Sequence, residues 1–299
     1  MKEGWKTRAI GRHLVDLPAD ARTIEGYKFN DVPIEPLPAI RTRERFDEMV
    51  AEQERSLRGA RHDTRGSMFI ERVAHANGSL TLISWTAPYS ESMYRFDTYF
   101  QLGSRFLKYA GDVSPELRES ALRVCQELSQ EWREIPLGEA PSGVGYVVDD
   151  TILSNKKMNL ESWSMQIKLA GRPDVSFRIT SYAQYRVEPG LRDRAGGVLA
   201  GLLRAVAGVS QLRNRARPVG PIEADEILVA GTQDGKRTYG FKWEAPGKTR
   251  SLGEPNLNVS LRVGESAYLT NKESFASDEE ALEIWDAVVD SIRLRSGAV

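Results

Sequence analysis

The amino-acid sequence predicts an α+β fold with two similar domains, each an antiparallel sheet with helices packed on one face. The first observation is a repeated phrase, because Trp-x-Ala-Pro occurs at Trp85 and again at Trp243, an offset close to half the chain length. The second is that a β-hairpin pattern with an Asn-Gly or Asp-Gly turn precedes each copy. The third is that each predicted helix carries one apolar stripe, as expected for a helix that packs against a sheet. Both tryptophans are predicted to be core anchors at strand ends, because two domains would not need the same contact residue at equivalent places.

The N-terminal half begins with two predicted strands, residues 8–17 and 27–34. The second strand ends where prolines accumulate, because proline cannot donate to a sheet ladder. Thr42 then caps a first helix. The apolar residues that follow Thr42 at helical spacing are Phe46, Met49, Val50 and Leu57.

The first hairpin turns at Asn77-Gly78, residues that readily adopt the positive φ angles of a tight turn. Residues 93–102 alternate apolar and polar side chains, which is the pattern of a half-buried strand. Ser114 and Pro115 open a second helix. The N-terminal half therefore contains the elements of a complete α+β domain.

A linker is predicted at residues 136–143, a stretch rich in turn residues and poor in residues that could pack. It separates an N-terminal domain, residues 1–138, from a C-terminal domain, residues 143–299. The C-terminal domain has predicted strands at 145–152, 163–169, 175–182 and 257–263, a helix within 195–209, a hairpin turn at Asp234-Gly235, and a last helix that Ser277 and Glu280 open as a capping box.

Composition excludes several classes of function. The chain has 299 residues, 40 % hydrophobic and 28 % charged, which is enough to bury two medium cores. A formal net charge of −1 supplies no global field that would collect nucleic acid or an anionic membrane. No stretch reaches the roughly 18 to 20 apolar residues of a membrane span, and residues 1–6 lack the hydrophobic segment of a secretory signal. We therefore expect no nucleic-acid partner and no stable membrane insertion, and we expect Cys125 to be a small buried hydrophobe.

No set of residues has the spacing of a catalytic or metal site. The histidines are His13, His62 and His75. None of them has a second histidine or a cysteine at metal-ligand spacing. The adjacent Asp149 and Asp150 would point to opposite faces of a strand, so they could not readily share a proton or a metal. The arginine-rich run at residues 213–217 lacks interleaved aromatics and is interpreted as a surface loop. We expect no catalytic residue, no cofactor and no metal.

Three parts of the chain together carry a family resemblance. They are KTRAIGRHLVDLP at residues 6–18, GYVVDD at 145–150, and LVAG at 228–231 with FKWEAPG at 241–247. The first resembles the N-terminal signature of the type VI secretion immunity proteins that protect against lipase effectors of the fourth class. The second resembles the start of that family's C-terminal domain, and the third its later hairpin. The resemblance lies in their order and spacing along nearly the whole chain.

The resemblance implies an immunity protein that binds a phospholipase toxin and inhibits it by steric block of the active site or lid. Its partner would be the cognate lipase effector, and we expect a monomer when the protein is free. It would act in the periplasm, or in the cytoplasm if the native gene lacks an export signal. We hypothesise a clamp, in which the linker near Pro141 lets two similar domains form a cleft. The predicted contact residues, which are aromatic or charged and lie on loops outside the repeated core, are Tyr89, Glu91, Tyr94, Arg186 and Glu188.

Two other functions stay open. The first is a two-domain lipid or small-molecule binding protein without catalysis, whose ligand would lie in an apolar pocket with a few converging polar groups. The second is an enzyme of unrecognised type, for which Asp149 is the residue to test. Titration of the chain with a cognate lipase separates both from the immunity function.

Overall fold

The computed structural model describes residues 2–194, 209–233, 236–263 and 274–299. In these residues antiparallel strands predominate, and the predicted α+β class is confirmed. The strands, in chain order, are β1 (Trp5–Ile10), β2 (His13–Pro18), β3 (Arg22–Phe29), β4 (Val32–Pro36), β5 (Phe69–Ala74), β6 (Leu80–Ala87), β7 (Ser90–Leu102), β8 (Arg105–Val113), β9 (Trp132–Glu134), β10 (Tyr146–Val148), β11 (Thr151–Leu153), β12 (Ser162–Leu169), β13 (Arg172–Tyr182), β14 (Ser210–Ala216), β15 (Asp225–Gln233), β16 (Lys236–Ala245), β17 (Asn256–Val263) and β18 (Arg293–Leu294). The helices are α1 (Arg43–Gly59), α2 (Arg118–Glu131) and α3 (Asp278–Val289). The predicted helix at 195–209, apart from Val209, and the predicted Asp234-Gly235 turn lie outside the described residues.

The chain divides into two compact units. One, here called the inserted unit, is Tyr27–Lys157, and the other, the terminal unit, is Met1–Gly26 with Met158–Val299. These units cut the chain at other places than the predicted domain boundaries, which stay a prediction. Residues 136–143, predicted as the linker, lie within the inserted unit, where β11 pairs with both β9 and β10.

The sheet of the inserted unit has the strand order β3-β4-β8-β7-β6-β5, with β3 belonging to this unit from Tyr27 onward. Helix α1 packs Phe46 against Tyr99 of β7, whereas α2 places Cys125 beside Thr98 of the same strand. Because neighbouring strand residues point to opposite faces, the two helices lie on opposite faces of this sheet rather than on one. Thr42 caps α1 as predicted, since its hydroxyl accepts a hydrogen bond from the Arg45 amide at 3.3 Å.

Two predicted strands of this unit are hairpins. The predicted strand at 27–34 is divided between β3 and β4, because Asn30 and Asp31 both adopt positive φ angles and form a two-residue turn. The predicted strand at 145–152 is likewise divided between β10 and β11 by a turn at Asp149. The predicted Asn77-Gly78 turn is confirmed, with φ angles of 57° and 77°.

The terminal unit has the strand order β14-β15-β16-β17-β13-β12 and a small sheet in which β2 pairs with β1 and β18. Helix α3 packs its buried Trp285 against Phe177 and Phe241, with ring centroids 6.1 Å and 5.5 Å away. The predicted cap is confirmed, because the Ser277 hydroxyl accepts a hydrogen bond from the Glu280 amide.

The predicted strand at 8–17 is also a hairpin, formed by β1 and β2. Gly11 supplies the turn with a φ of 57°, and a Cβ at this position would lie 2.2 Å from a ring carbon of Trp163. The next residue, Arg12, is buried and makes a bidentate ion pair with Glu161 at 2.6 Å and 2.9 Å. This turn therefore fixes the N-terminal hairpin to a later segment of the same unit.

Candidate partner-binding surfaces

Three of the predicted contact residues lie on one hairpin of the inserted unit. Strands β6 and β7 are joined by a two-residue turn, Pro88 and Tyr89, because Ala87 pairs with Ser90. Tyr89 is 81 % exposed, a larger fraction than that of any other Tyr, Trp or Phe side chain in the described residues. We call Trp85, Tyr89, Glu91 and Tyr94 the hairpin surface.

A loop just before β5 braces the hairpin surface through a buried histidine. The Asp63 amide donates to the Pro88 carbonyl at 2.9 Å. His62 Nδ1 accepts hydrogen bonds from the amides of Thr64 and Arg65, at 3.3 Å and 3.2 Å. Because amides only donate, the proton of a neutral His62 is on Nε2, which donates to the Ser90 carbonyl at 3.3 Å. The imidazole therefore ties the loop to the start of β7.

Glu91 is held in place by the same loop while its carboxylate faces solvent. Its oxygens accept hydrogen bonds from the Arg65 guanidinium and the Thr64 hydroxyl, each at 2.6 Å. The Arg65 hydrogen bond, followed by that of Thr64, lowers the pKa of the Glu91 carboxyl. Glu91 thus presents a fixed negative charge at the surface.

Tyr94 and Trp85 form the aromatic part of the hairpin surface. Their ring centroids are 5.1 Å apart, and the Trp85 ring lies 5.2 Å from that of His62. Trp85 is half-buried, so the prediction of a core anchor is wrong for this copy of the repeated phrase and right for the fully buried Trp243. The sequence analysis did not predict that His62 and Arg65 hold this hairpin in place, because the sequence shows only that they lie in a charged stretch.

The other two predicted contact residues lie in the terminal unit, on the segment that follows β13. Arg186 and Glu188 are both exposed. Three large side chains near them, Tyr182, Tyr185 and Val187, are also exposed, and Tyr185 is 51 % exposed. We call Tyr182 to Glu188 the segment surface.

The segment surface is fastened by its inward-facing residues. The Ala183 amide donates to the Glu161 carbonyl at 2.9 Å. Gln184 is buried, and its side-chain amide donates to the Pro246 carbonyl at 2.6 Å. The Gln184 carbonyl accepts from the Arg250 amide at 2.8 Å, and the Arg250 guanidinium lies 5.3 Å from the centroid of the Tyr185 ring. The exposed side chains therefore project from a fixed backbone.

Asp149 and Asp150, the carboxylate pair considered in the sequence analysis, lie outside the two contact surfaces. Asp149 lies in the β10–β11 turn, where burial and the adjacent Asp150 raise its pKa. Asp150 is paired with Arg105.

Among the described residues, no group of three or more His, Cys, Asp or Glu side chains is placed to hold a metal ion. In the same part of the chain, no helix has both the length and the apolar character to cross a membrane.

The arginine-rich run at 213–217 is not a surface loop, because most of it forms β14. Its arginines converge on the buried carboxylate of Glu226 and on two further acids, one within α3 and one directly after it. Arg213 pairs with Asp286 at 2.7 Å, and Arg217 pairs with Asp290 at 2.8 Å. Trp285 donates its indole N–H to Glu226 at 2.8 Å. These guanidinium groups therefore hold α3 on the sheet and are already paired within the protein.

Comparisons with known proteins agree on one family. Residues 139–297 match the sequence model described as the Tle cognate immunity protein 4 C-terminal domain. No curated protein sequence gives a significant match. Among solved structures, the chain is similar to the apo immunity protein TplEi of the type VI secretion system (T6SS) from Pseudomonas aeruginosa, with 32 % identity and a TM-score of 0.93 over 100 % of this chain and 99 % of that chain.

Two further structures give similar values. A chain in the crystal structure of the Tle4–Tli4 complex is 32 % identical, with a TM-score of 0.93 over 100 % of both chains. The structure of TplEi from Pseudomonas aeruginosa complexed with "L" peptide is 32 % identical, with a TM-score of 0.87 over 99 % of both chains. The family resemblance found in the sequence is confirmed, and the chain belongs to the Tle cognate immunity protein 4 family.

Proposed function

We propose that this protein binds a cognate lipase effector of the fourth class and neutralises it by covering its active site or holding its lid shut. The observation that carries the proposal is the similarity, over the whole chain, to a chain of the Tle4–Tli4 complex. A block of this kind needs no chemical step by the immunity protein, so inhibition is stoichiometric and the protein is not an enzyme. It acts as a monomer that meets the toxin in the periplasm, where the lipase would reach lipid.

The hairpin surface is the first proposed contact. Tyr89 projects from a turn that is fixed by backbone hydrogen bonds, and tyrosine is common at interface hot spots. Because His62 and Arg65 already fix the loop and Glu91, little conformational freedom is lost on binding. The exposed Glu91 carboxylate adds a charge that a matching cation on the effector would recognise.

The segment surface is the second proposed contact. Tyr185 is an exposed aromatic ring braced by Arg250, and the adjacent Arg186 and Glu188 present opposite charges to solvent. Such charges affect partner choice and association rate more than affinity, because exposed pairs are screened by water and salt. The segment surface thus fits a role in discriminating the cognate effector from related toxins.

Titration of the purified chain into the lipase encoded beside its gene tests the proposal. We expect a one-to-one complex by size-exclusion chromatography with light scattering, and loss of lipase activity that ends at one equivalent. The chain alone should release no fatty acid from phospholipid vesicles, and Asp149→Ala should inhibit as the unsubstituted protein does. Absence of a complex contradicts the proposal for that lipase.

Fractionation of the native host, with the lipase and a cytoplasmic marker as references, tests the periplasmic location.

Variants at both surfaces test the contact residues. Tyr89→Ala should weaken the complex by roughly 30-fold, the effect of losing a hot spot worth about 2 kcal/mol. Its control is Leu137→Ala, which removes another exposed apolar side chain of the inserted unit.

Arg186→Glu should slow association at low salt, and the exposed Arg178 gives its matched control, Arg178→Glu. Glu91→Lys, Tyr94→Ala and Glu188→Lys complete the set, and unchanged binding by all five variants would exclude both surfaces.

A further inference from the structure

The sheet of the terminal unit has one face that points away from α3. Phe177 of β13 and Phe241 of β16 pack against Trp285 of α3 on the other face. Because successive residues of a strand point to opposite faces, Arg178 and Lys242, which directly follow these rings, point away from α3. Arg178 is exposed, and 42 % of the Lys242 side chain is exposed. This part of the sheet therefore meets solvent on the face opposite α3.

Four cations cross this face, one on each of four neighbouring strands. They are Lys168 of β12, Arg178 of β13, Arg262 of β17 and Lys242 of β16. Ser176 pairs with both Lys168 and Arg262, and paired residues of neighbouring strands share a face. Ser260 pairs in the same way with both Arg178 and Lys242, so each cation is a diagonal neighbour of the next. We call the four cations, with Ser176 and Ser260, the basic face.

Most of the charge on the basic face is not neutralised. Three of its cations form no ion pair with another described residue, and these are Lys168, Arg178 and Arg262. Lys242 lies 3.0 Å from Glu244, but that carboxylate is shared with Arg194. Asp174, in the next part of β13, accepts a hydrogen bond from Ser274. Diagonal neighbours in a sheet are roughly 7–8 Å apart, less than the Debye length of about 10 Å at 0.1 M salt, so the potentials of these cations add.

The residue types of the basic face favour a surface of phosphate groups as its partner. Guanidinium groups bind phosphate through paired hydrogen bonds, and the serine hydroxyls between them can donate as well. None of the exposed large hydrophobic side chains of the described residues belongs to this face. Protein interfaces are depleted in Lys and Ser, and sites for single-stranded nucleic acid stack the bases on aromatic rings. The basic face therefore differs from both contact surfaces proposed above, which carry exposed tyrosines.

We propose that the terminal unit adsorbs through the basic face to membranes that contain anionic phospholipid. The attraction is electrostatic and inserts no apolar side chain into the bilayer. The choice of a lipid surface over duplex nucleic acid rests on the proposed function, because an inhibitor that meets a lipase in the periplasm works beside phospholipid. Adsorption would hold the inhibitor at the surface that the effector attacks.

Co-sedimentation of the purified full chain with phospholipid vesicles tests the proposal. Vesicles of equal parts phosphatidylcholine and phosphatidylglycerol should bind the protein, and vesicles of phosphatidylcholine alone should not. Binding should be strong at about 0.01 M salt and lost at about 1 M, where the Debye length falls from roughly 30 Å to roughly 3 Å. Glycerol 3-phosphate at the same phosphate concentration should not release the protein, because a single soluble anion cannot contact several cations at once. Equal binding to both kinds of vesicle, or release by glycerol 3-phosphate, would overturn the proposal.

Neutral variants locate the binding face. Arg178→Gln and Arg262→Gln should each lower the partition coefficient onto the phosphatidylglycerol vesicles about fivefold, and the double variant about 25-fold, since each cation near such a surface contributes about that factor. The matched control is Arg55→Gln, which removes the same charge from an exposed position of α1 and should change binding less than twofold. Equal losses in all three single variants would show that net charge alone matters, and the basic face would not be the site.

The outcome is separable from that of the proposed function. Inhibition of the lipase is measured on the complex in solution, and the vesicle assay contains no lipase. If the folded chain inhibits the lipase but does not bind phosphatidylglycerol vesicles at low salt, the proposal for the basic face fails and the proposed function stands. Loss of the lipase complex in the double variant, with vesicle binding retained, would assign the basic face to the effector and overturn the proposal. Tighter binding to a labelled DNA duplex than to the vesicles would overturn it as well.

Discussion

Trp243 and Trp85 occupy the same place in the repeated phrase, but Trp243 is fully buried in the terminal unit and Trp85 is half-buried in the inserted unit. The indole N–H of Trp243 donates to the Arg217 carbonyl at 2.9 Å, deep in the core. Trp85 lies among His62 and Tyr94, next to the exposed Tyr89. The shared phrase therefore determines where a strand ends, while the neighbouring elements determine how deeply its tryptophan is buried.

The proline of each phrase has a more constant role. The Pro88 carbonyl accepts a hydrogen bond from the Asp63 amide, and the Pro246 carbonyl accepts one from the Gln184 side chain. In each unit this bond fastens the segment next to the predicted contact residues. The two units thus repeat an anchoring hydrogen bond at the strand end, although the donors differ.

The units differ most in the buried polar groups of their cores. The terminal unit buries charged groups, including Arg12 with Glu161 and Arg217 with Glu226. In the inserted unit the buried carboxylate of Asp97 pairs with Arg95 and Lys108. The other buried polar groups of its described residues are mostly neutral, such as the Thr81 and Thr98 hydroxyls, which are 2.8 Å apart. Because an uncompensated buried charge is far more costly than an unpaired hydroxyl, the terminal unit should be the more sensitive to substitution of polar core residues.

The largest expected effect is that of Glu226→Gln. Glu226 is fully buried and accepts hydrogen bonds from Arg217, Arg215 and the Trp285 indole, so the substitution leaves Arg217 short of a compensating charge. Breaking a buried ion pair costs about 3–5 kcal/mol. We expect about 3 kcal/mol here, because Arg217 keeps Asp286 and Asp290. Urea unfolding monitored by tryptophan fluorescence measures the loss.

The control for this variant is Glu48→Gln, which removes an exposed partner of Arg45 on α1. Its unfolding midpoint should stay within error of the unsubstituted protein. A small effect of Glu226→Gln would show that Arg215 and Arg217 tolerate a neutral neighbour. The contrast between charged and neutral cores would then have no energetic consequence.

The next effect is a pH dependence that belongs to the terminal unit. Burial, followed by the charge of Arg12, lowers the pKa of His13 from 6.5 to about 4. As the pH falls below 6.5, the unfolded chain takes up a proton at His13 that the folded protein does not. The contribution of His13 to the free energy of unfolding is therefore fully present above pH 6.5 and is lost between pH 6.5 and about 4. The loss attributable to His13 is about 3 kcal/mol.

His13→Gln should flatten the stability profile between pH 6.5 and 4, as measured by urea unfolding at half-unit intervals. His75 in the inserted unit offers the comparison. Burial also lowers its pKa, but a hydrogen bond with Gln126 opposes the change. His75→Gln should therefore alter the slope less than His13→Gln, and an equal or larger change would contradict the assigned difference between the units.

Much of the fold could be predicted from local signals. Thr42 and Ser277 cap their helices as predicted, and the Asn77-Gly78 turn lies where its residue types place it. The missed hairpins have weaker signals, because Gly11 and the Asn30-Asp31 pair stand inside runs that read as continuous strands. A stricter reading of isolated Gly and paired Asx residues would have found these two turns and the third missed turn, at Asp149-Asp150.

The candidate surfaces show where sequence reasoning ends. Tyr89 could be chosen because it follows a proline at the end of a hairpin, and it is highly exposed. The contacts of Glu91 with Arg65 and of His62 with Ser90 join residues more than 20 positions apart, so no local pattern reveals them. The pairing of the arginines at 213–217 with α3 also joins residues far apart in the sequence, so no local pattern predicts it.

A moderate effect should separate the two tryptophans of the repeated phrase. Trp243→Phe removes the hydrogen bond to the Arg217 carbonyl and part of a buried ring, so we expect a loss of about 2 kcal/mol. Trp85→Phe changes a half-buried ring and should cost less than about 1 kcal/mol. Thermal unfolding by circular dichroism compares them. Equal losses would show that Trp85 is as much a core residue as Trp243.

The smallest effect concerns the exposed ion pair of the hairpin surface, for which the terminal unit has no counterpart among the described residues of the segment surface. Arg65→Met removes the strongest influence on the Glu91 carboxyl, so the pKa of Glu91 should rise toward its ordinary range while the melting temperature is unchanged. Titration of the side-chain carboxyl by carbon NMR measures the pKa. Arg61→Met, an exposed arginine of the same loop, is the matched control and should leave it in place. If the pKa of Glu91 stays low in Arg65→Met, the Thr64 hydroxyl alone fixes the carboxylate, and the charge that Glu91 offers a partner does not depend on the ion pair.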